Sequence, residues 1–181
     1  MRMLLALIPA FILTGCVSQY KVVVDFSPEL QPHFVEFPTI EVDIAALTDA
    51  EADEVKQMGV EKYFAPGSGI RQRLNVQTCF FSKEERYTYV LPSRAPVWQT
   101  WKQKKPSTLM VIASLPHDPS MSPQADPRLL TVAIAKSFIV ARSVYIWVEP
   151  KRIIRVTKAA YKKGEKDSPK TEQWIEIRES R

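Results

Sequence analysis

In the stretch Thr39-Ile40-Glu41-Val42-Asp43-Ile44-Ala45, the apolar Ile40, Val42 and Ile44 alternate with the carboxylates Glu41 and Asp43. A period of two sends successive side chains to opposite faces, so this run predicts a β-strand with one buried face and one acidic, solvated face. Similar short segments recur along the chain: Tyr20 to Phe26, Leu74 to Phe81, Tyr87 to Leu91, Leu130 to Ile134, Phe138 to Val148 and Ile153 to Val156. Leu109-Met110-Val111-Ile112-Ala113 is continuously apolar between Pro106 and Pro116, which reads as a central strand buried on both faces. A helix is expected between strands. Thr48-Asp49-Ala50-Glu51 forms a capping box, Ala52, Val55 and Met58 recur at helical spacing, and Gly59 supplies a stop. About eight short strands with one short inserted helix describe a mainly β fold, a β-sandwich.

The chain starts with the basic flank Met1-Arg2. An apolar run from Leu4 to Leu13 follows, then Thr14-Gly15-Cys16. Charged start, short apolar segment and small residues are the order of an export signal. The apolar run is about half the ~20 residues needed to span a bilayer. Leu13-Thr14-Gly15-Cys16 resembles the lipobox of bacterial lipoproteins, which implies cleavage before Cys16 and acylation of its sulfur and new N-terminus. Val17 follows where inner-membrane lipoproteins usually carry Asp, so the same resemblance points to the outer membrane and a domain facing the periplasm. The chain then divides into a leader at 1–15, a tether and first strand at 16–37, the sandwich at 38–157, and a basic extension at 158–181 with a possible edge strand near Trp174.

Charge is unevenly placed. Of the net +5, the whole excess lies from Lys151 to Arg181, whereas Glu29 to Glu61 holds nine acids and one base, Lys56. Such asymmetry can steer a partner or a membrane surface, and it equally describes solvated faces. Export from the cytoplasm argues against a nucleic-acid partner. With Cys16 lipidated, Cys79 has no intrachain partner and reads as a small buried hydrophobe in Cys79-Phe80-Phe81. The segment from Lys158 to Lys170 is basic and weakly apolar, and reads as a mobile hairpin or linker.

Catalytic signals are sparse. His33 and His117 each lie beside a proline, and neither has a second histidine at zinc-ligand spacing. Ser18 and Lys21 match a serine–lysine pair literally, but they fall in the tether. There is no Gly-x-Ser-x-Gly elbow. Asp49, Glu51, Asp53 and Glu54 fit first-turn helix acids better than a calcium loop, and Pro66-Gly67-Ser68-Gly69 reads as a turn, not a phosphate loop. No catalytic residue, cofactor, metal or small-molecule substrate is therefore expected.

Two places are candidates for partner contact. Pro116 to Arg128 is a proline-rich loop of the length that is usually functional or disordered, and it offers His117, Asp118, Met121, Asp126 and Arg128. Trp98 and Trp101 lie on one or two helical turns between Pro96 and Pro106, beside Lys102, Lys104 and Lys105. They fit either a cap on the open end of the core or a contact patch of the kind tryptophan favours.

Three features in order resemble the type VI secretion outer-membrane lipoproteins, the TssJ, SciN or VasD family. They are the lipobox at Leu13 to Cys16, the strand ending Ile44-Ala45-Ala46-Leu47 directly before a helix, and the strand Leu109 to Ala113 running into a variable loop. The resemblance implies a transthyretin-like β-sandwich with an added helix and a non-catalytic role. That role is holding a secretion complex at the outer membrane by binding the periplasmic domain of the inner-membrane component TssM. An inter-strand loop makes the contact in that family, and by position His117 to Arg128 is the expected counterpart. The alternatives are an assembly or pilotin lipoprotein of another envelope machine, a periplasmic ligand-binding lipoprotein and, last, a hydrolase.

Overall fold

The computed structural model describes residues 20–27, 30, 38–82, 88–116, 126–134 and 142–167. Among these residues, eight strands form two four-stranded sheets. One sheet runs β4 (Tyr89–Leu91), β1 (Tyr20–Phe26), β7 (Arg142–Val148), β8 (Ile153–Val156); the other runs β3 (Gln77–Phe81), β2 (Ile40–Leu47), β5 (Thr108–Ala113), β6 (Leu129–Ala133). Pairing is antiparallel except between β1 and β7, which lie parallel from Tyr20 beside Arg142 to Phe26 beside Val148. The core draws on Val22 and Val24 of β1, Val144, Ile146 and Val148 of β7 and, from the second sheet, Ile40, Val42 and Ile44, all buried. This is the expected two-layer architecture.

The two central strands of the second sheet, β2 and β5, are buried on both faces. β5 is buried from Leu109 to Ala113, as its unbroken apolar run predicted. β2 departs from expectation, because Asp43 is 0% exposed. What covers it is a helical layer: α1 (Asp49–Met58), α2 (Val60–Phe64) and α3 (Gly69–Leu74). The first of these starts with the predicted capping box. The Glu51 N–H donates to Thr48 Oγ1 (3.3 Å), and the Thr48 N–H donates back to Glu51 Oε2 (3.0 Å). Gly59 at φ 79° ends α1 and opens α2, a conformation that favours glycine. The sequence placed Leu74 at the start of a strand; instead Gly69–Leu74 is helical, Asn75 turns the chain in the left-handed region, and β3 begins at Gln77.

Two more helices complete the described fold. Short α4 (Val97–Gln103) closes one end of the sandwich, and α5 (Lys158–Asp167) packs outside the first sheet. The expectation of a mobile hairpin or linker over Lys158 to Lys170 is thus corrected for its first ten residues. Thr157 caps α5 through the Ala160 N–H (3.2 Å), the Tyr161 hydroxyl donates to Asp25 Oδ2 (3.1 Å), and the Tyr161 ring lies 4.9 Å from Tyr145. Trp174 and the predicted edge strand lie outside the described residues.

The sandwich has two distinct poles. At one, Tyr20 opens β1 within 6.4 Å of Trp98 (ring centroids), and Leu47 at the end of β2 pairs with Thr108 at the start of β5. At the other, Phe26 closes β1 against Phe81 at 4.7 Å, and Ile112 pairs with Leu129 where β6 begins. The first is called the tether pole and the second the far pole.

Candidate partner-binding pole

The proline-rich segment leaves β5 and returns to β6 at the far pole, and a buried arginine holds its two ends together. Arg128 donates from Nε to Asp126 Oδ1 (2.9 Å) and from Nη2 to Asp126 Oδ2 (2.6 Å), a bidentate grip. Its Nη1 reaches Leu115 O (3.1 Å) on the departing strand, and Nη2 also meets Glu61 Oε1 (2.6 Å) on α2. The hydrogen bonds to Asp126 hold the guanidinium above its ordinary pKa, more than offsetting the burial that would lower it. Backbone pairs add to the clamp: the Ala113 N–H donates to Arg128 O (3.0 Å), and the Ile153 N–H donates to Pro127 O (2.9 Å), tying β8 to the same corner. Asp126 and Arg128, expected as contact residues, are both buried. They stand as the fixed base of the segment, since each charged group faces its partner inside the fold. His117, Asp118 and Met121 lie outside the described residues, as does Cys16.

Trp98 and Trp101 resolve toward the core. They are 5% and 0% exposed and meet edge to face at 5.0 Å, with planes at 89°. Each indole N–H has a backbone acceptor, Pro92 O for Trp98 and Asn75 O for Trp101, both at 2.9 Å. Buried indoles of this kind stabilise the tether pole and offer no ring face to a partner. Nearby, Lys104 Nζ donates to Glu51 Oε1 (3.1 Å), tying α4 to α1.

A second buried charge cluster had no signal in the sequence. The Asp43 carboxylate receives Tyr63 Oη (2.9 Å), Arg71 Nε (2.7 Å) and Nη2 (3.1 Å), and Thr78 Oγ1 (2.6 Å). Arg71 also bonds Glu41, and its guanidinium lies over the Phe64 ring at 5.1 Å. Burial alone would lower the Arg71 pKa, but its hydrogen bonds with Asp43 and Glu41 raise it; burial and the Asp43 charge together push the Tyr63 phenol up. Both oxygens of Asp43 accept two hydrogen bonds each, so this cluster fastens the helical layer to β2. Cys79 is buried beneath it, with its thiol pushed up by that burial and its Sγ 3.4 Å from Val42 O.

Other openings are modest. A cleft of about 370 Å³ lies between the sheet edges β6 and β8, lined by Lys56, Asp126, Leu129, Thr131, Arg152 and Ile154, among others. Among the described residues, no group of three or more His, Cys, Asp and Glu side chains could hold a metal, and no helix is long and apolar enough to cross a membrane.

No family model matches the sequence, and no curated protein matches it. Solved structures do. The C-terminal domain of the type VI secretion protein TssM from EAEC shares 8% identity over 76% of this chain and 99% of its own, with a TM-score of 0.51. Lip of Serratia marcescens, a membrane-bound component of the type VI secretion system, shares 13% identity over 78% of this chain and 98% of its own at 0.49. The type VI lipoprotein TssJ1 of Pseudomonas aeruginosa shares 9% over 78% and 96% at 0.48. At these identities the TssM match speaks to the fold alone, a two-sheet sandwich shared over nearly the whole of that domain.

Proposed function

We infer that this chain is a lipid-anchored, periplasm-facing lipoprotein of the outer membrane that serves as a non-catalytic structural part of a type VI secretion membrane complex. It docks the periplasmic domain of a TssM-like inner-membrane partner through the segment from His117 to Arg128, with buried Asp126 and Arg128 as its base and the contact made by the residues before them. The observation that carries this reading is the placement of two features at opposite poles. Cys16 precedes the start of β1 at the tether pole, while Arg128 and Asp126 clamp the proline-rich segment at the far pole. A domain fastened to one membrane at one end, with the two ends of its candidate docking segment clamped at the other, is suited to bridging toward a second membrane. The fold shared with the TssM domain supports a place among such components.

Three experiments test it. Replacing Cys16 with Ser should move the protein from the outer-membrane fraction to the soluble fraction, and mass spectrometry of the mature wild-type N-terminus should find acyl chains on residue 16. Envelope extracts passed over the immobilised domain should yield a large inner-membrane protein, and Asp118→Lys with Met121→Ala should reduce that capture without lowering the melting temperature. Retention of the Cys16→Ser protein on the outer membrane through a high-salt wash would rule out the anchor. A ligand-binding lipoprotein is the second reading, favoured only by the cleft between β6 and β8; a small molecule that raises the melting temperature and is blocked by Thr131→Trp would support it.

A further inference from the structure

We propose that the tether pole is a cationic surface that lies against anionic phospholipid headgroups. The inference takes its geometry from the anchoring at Cys16 proposed above and its charge from the described residues. Four exposed cations converge there from distant parts of the chain: Lys21 at the start of β1, Arg94 in the turn between β4 and α4, Lys105 just past α4, and Lys158 opening α5. The sheet register brings them together. Leu91 sits beside Val22, and Val156 reaches the row of Val23 through Tyr145, so β4 and β8 stop two and three rows short of Tyr20 and the chain leaves both toward the end at which β1 begins. Half-buried Lys102 adds to this end from α4.

Opposing charge is scarce at the same pole. Asp49 accepts from Ser107 Oγ (2.6 Å), Glu51 is engaged by Thr48 and Lys104, and Asp25, farther along β1, accepts from Thr88 and Tyr161. The connecting stretches 17–19 and 135–141 contain no Asp or Glu in their sequence. The sequence asymmetry located the cations only in part, since Lys21, Arg94 and Lys105 lie in the stretch of balanced charge.

The tether length selects a membrane over an acidic protein as the occupant. Cys16 and Tyr20 are four residues apart, a reach of at most about 14 Å. The screening length is about 10 Å at 0.1 M salt, so a pole held this close to anchored acyl chains stays within the field of the headgroups. Acyl chains combined with a basic patch anchor more firmly than one chain alone.

The test uses the chain from Val17 to Arg181, which lacks the leader and lipid and keeps every element described above. It is floated with vesicles of phosphatidylethanolamine and phosphatidylglycerol, and separately with phosphatidylcholine vesicles. Expected is binding to the anionic vesicles alone, weakened by added salt. Replacing Lys21, Arg94, Lys105 and Lys158 by Glu should abolish it, each lost cation weakening binding on the order of fivefold. The milder pair Arg94→Gln and Lys158→Gln, checked for an unchanged melting temperature, gives an intermediate loss if the larger set unfolds the domain. Equal binding to both vesicle types, no binding to either, or full binding by the substituted chain overturns the proposal. So does a result in which the substitutions abolish capture of an acidic envelope protein yet leave vesicle binding intact. The acylation of Cys16 is read separately by mass spectrometry, so an unmodified cysteine counts against the anchor and a failed flotation against the cationic pole.

Discussion

Arg71, on a six-residue helix, reaches across to Asp43 in the middle of β2 and bonds both oxygens of a carboxylate that is 0% exposed. This pair, with Tyr63 and Thr78, converts a strand face that would otherwise be wet into the floor of a helical layer. Removing one partner of a buried pair leaves an uncompensated charge, typically at a cost of about 3–5 kcal/mol. Arg71→Met should therefore destabilise the domain by roughly 3 kcal/mol, toward the low end because Tyr63 and Thr78 still donate to Asp43. Adding Asp43→Asn should recover part of the loss. Urea melts of the single and double variants would check it; independent, additive losses would contradict the coupling.

The same reasoning applies to Arg128 and Asp126 at the far pole, where both side chains are buried. Arg128→Met should cost about 3 kcal/mol or more and loosen the corner joining Leu115 to β6. The expected signature is faster hydrogen exchange at the Ala113 and Ile153 amides, whose acceptors are Arg128 O and Pro127 O. Capture of an envelope partner should fall in parallel.

Glu51 links pH to stability. Burial would raise its pKa, but the Thr48 N–H and the Lys104 ammonium outweigh that and hold the carboxyl below its ordinary value of 4.5. A depressed folded-state value means that the stabilisation is present above about 4.5 and disappears as pH falls through the folded value. Glu51→Gln should cost on the order of 1 kcal/mol at neutral pH, in the range of a lost cap. Thermal melts of the two proteins should converge as the pH is lowered through the folded value. A gap that stays constant with pH would show that Glu51 acts through packing alone.

Gly164 in α5 is not free to become alanine. A Cβ there would fall 2.5 Å from Trp147 Cζ2, so the helix or the indole must shift. Alanine usually gains about 1 kcal/mol over glycine inside a helix. Here Gly164→Ala should lose stability instead, with a change in tryptophan fluorescence as Trp147 is displaced. A rise in melting temperature would mean that α5 rides loosely on the sheet.

Trp101→Ala should be among the most costly single changes, about 3–5 kcal/mol, because the ring is fully buried and its N–H closes α4 onto Asn75 O. Calorimetry on a soluble form would measure it.

Much of the sandwich was visible in the residues. Alternation marked β2, the unbroken apolar run marked β5, and Thr48 with Glu51 marked the start of α1, because each signal is local and set by one element's own geometry. What covered β2 was not local. Period two says that Asp43 and Ile44 face opposite ways, yet it is silent about a helical layer assembled from residues 49–74. Leu74, Val76 and Thr78 mimicked a strand because α3 is too short to show a helical period. Helix α5 escaped notice for a different reason: it docks through one tyrosine and a glycine, which leaves no apolar stripe to read. The proline-rich segment read as a loop from its sequence, its middle lying outside the described residues, and the role of Arg128 depended on Glu61 and Leu115, brought to it only by folding. For the two tryptophans, sequence allowed either a cap or a patch, and only the backbone acceptors for their N–H groups decide between them.

The place of β1 has a mechanical consequence. It lies inside its sheet, with β4 on one side and a seven-residue parallel register with β7 on the other. A force applied at the chain's start runs along the strand and strains those bonds together in shear, where an edge strand peeled from its end would give way one rung at a time. The domain is thus built to bear a pull through its first strand.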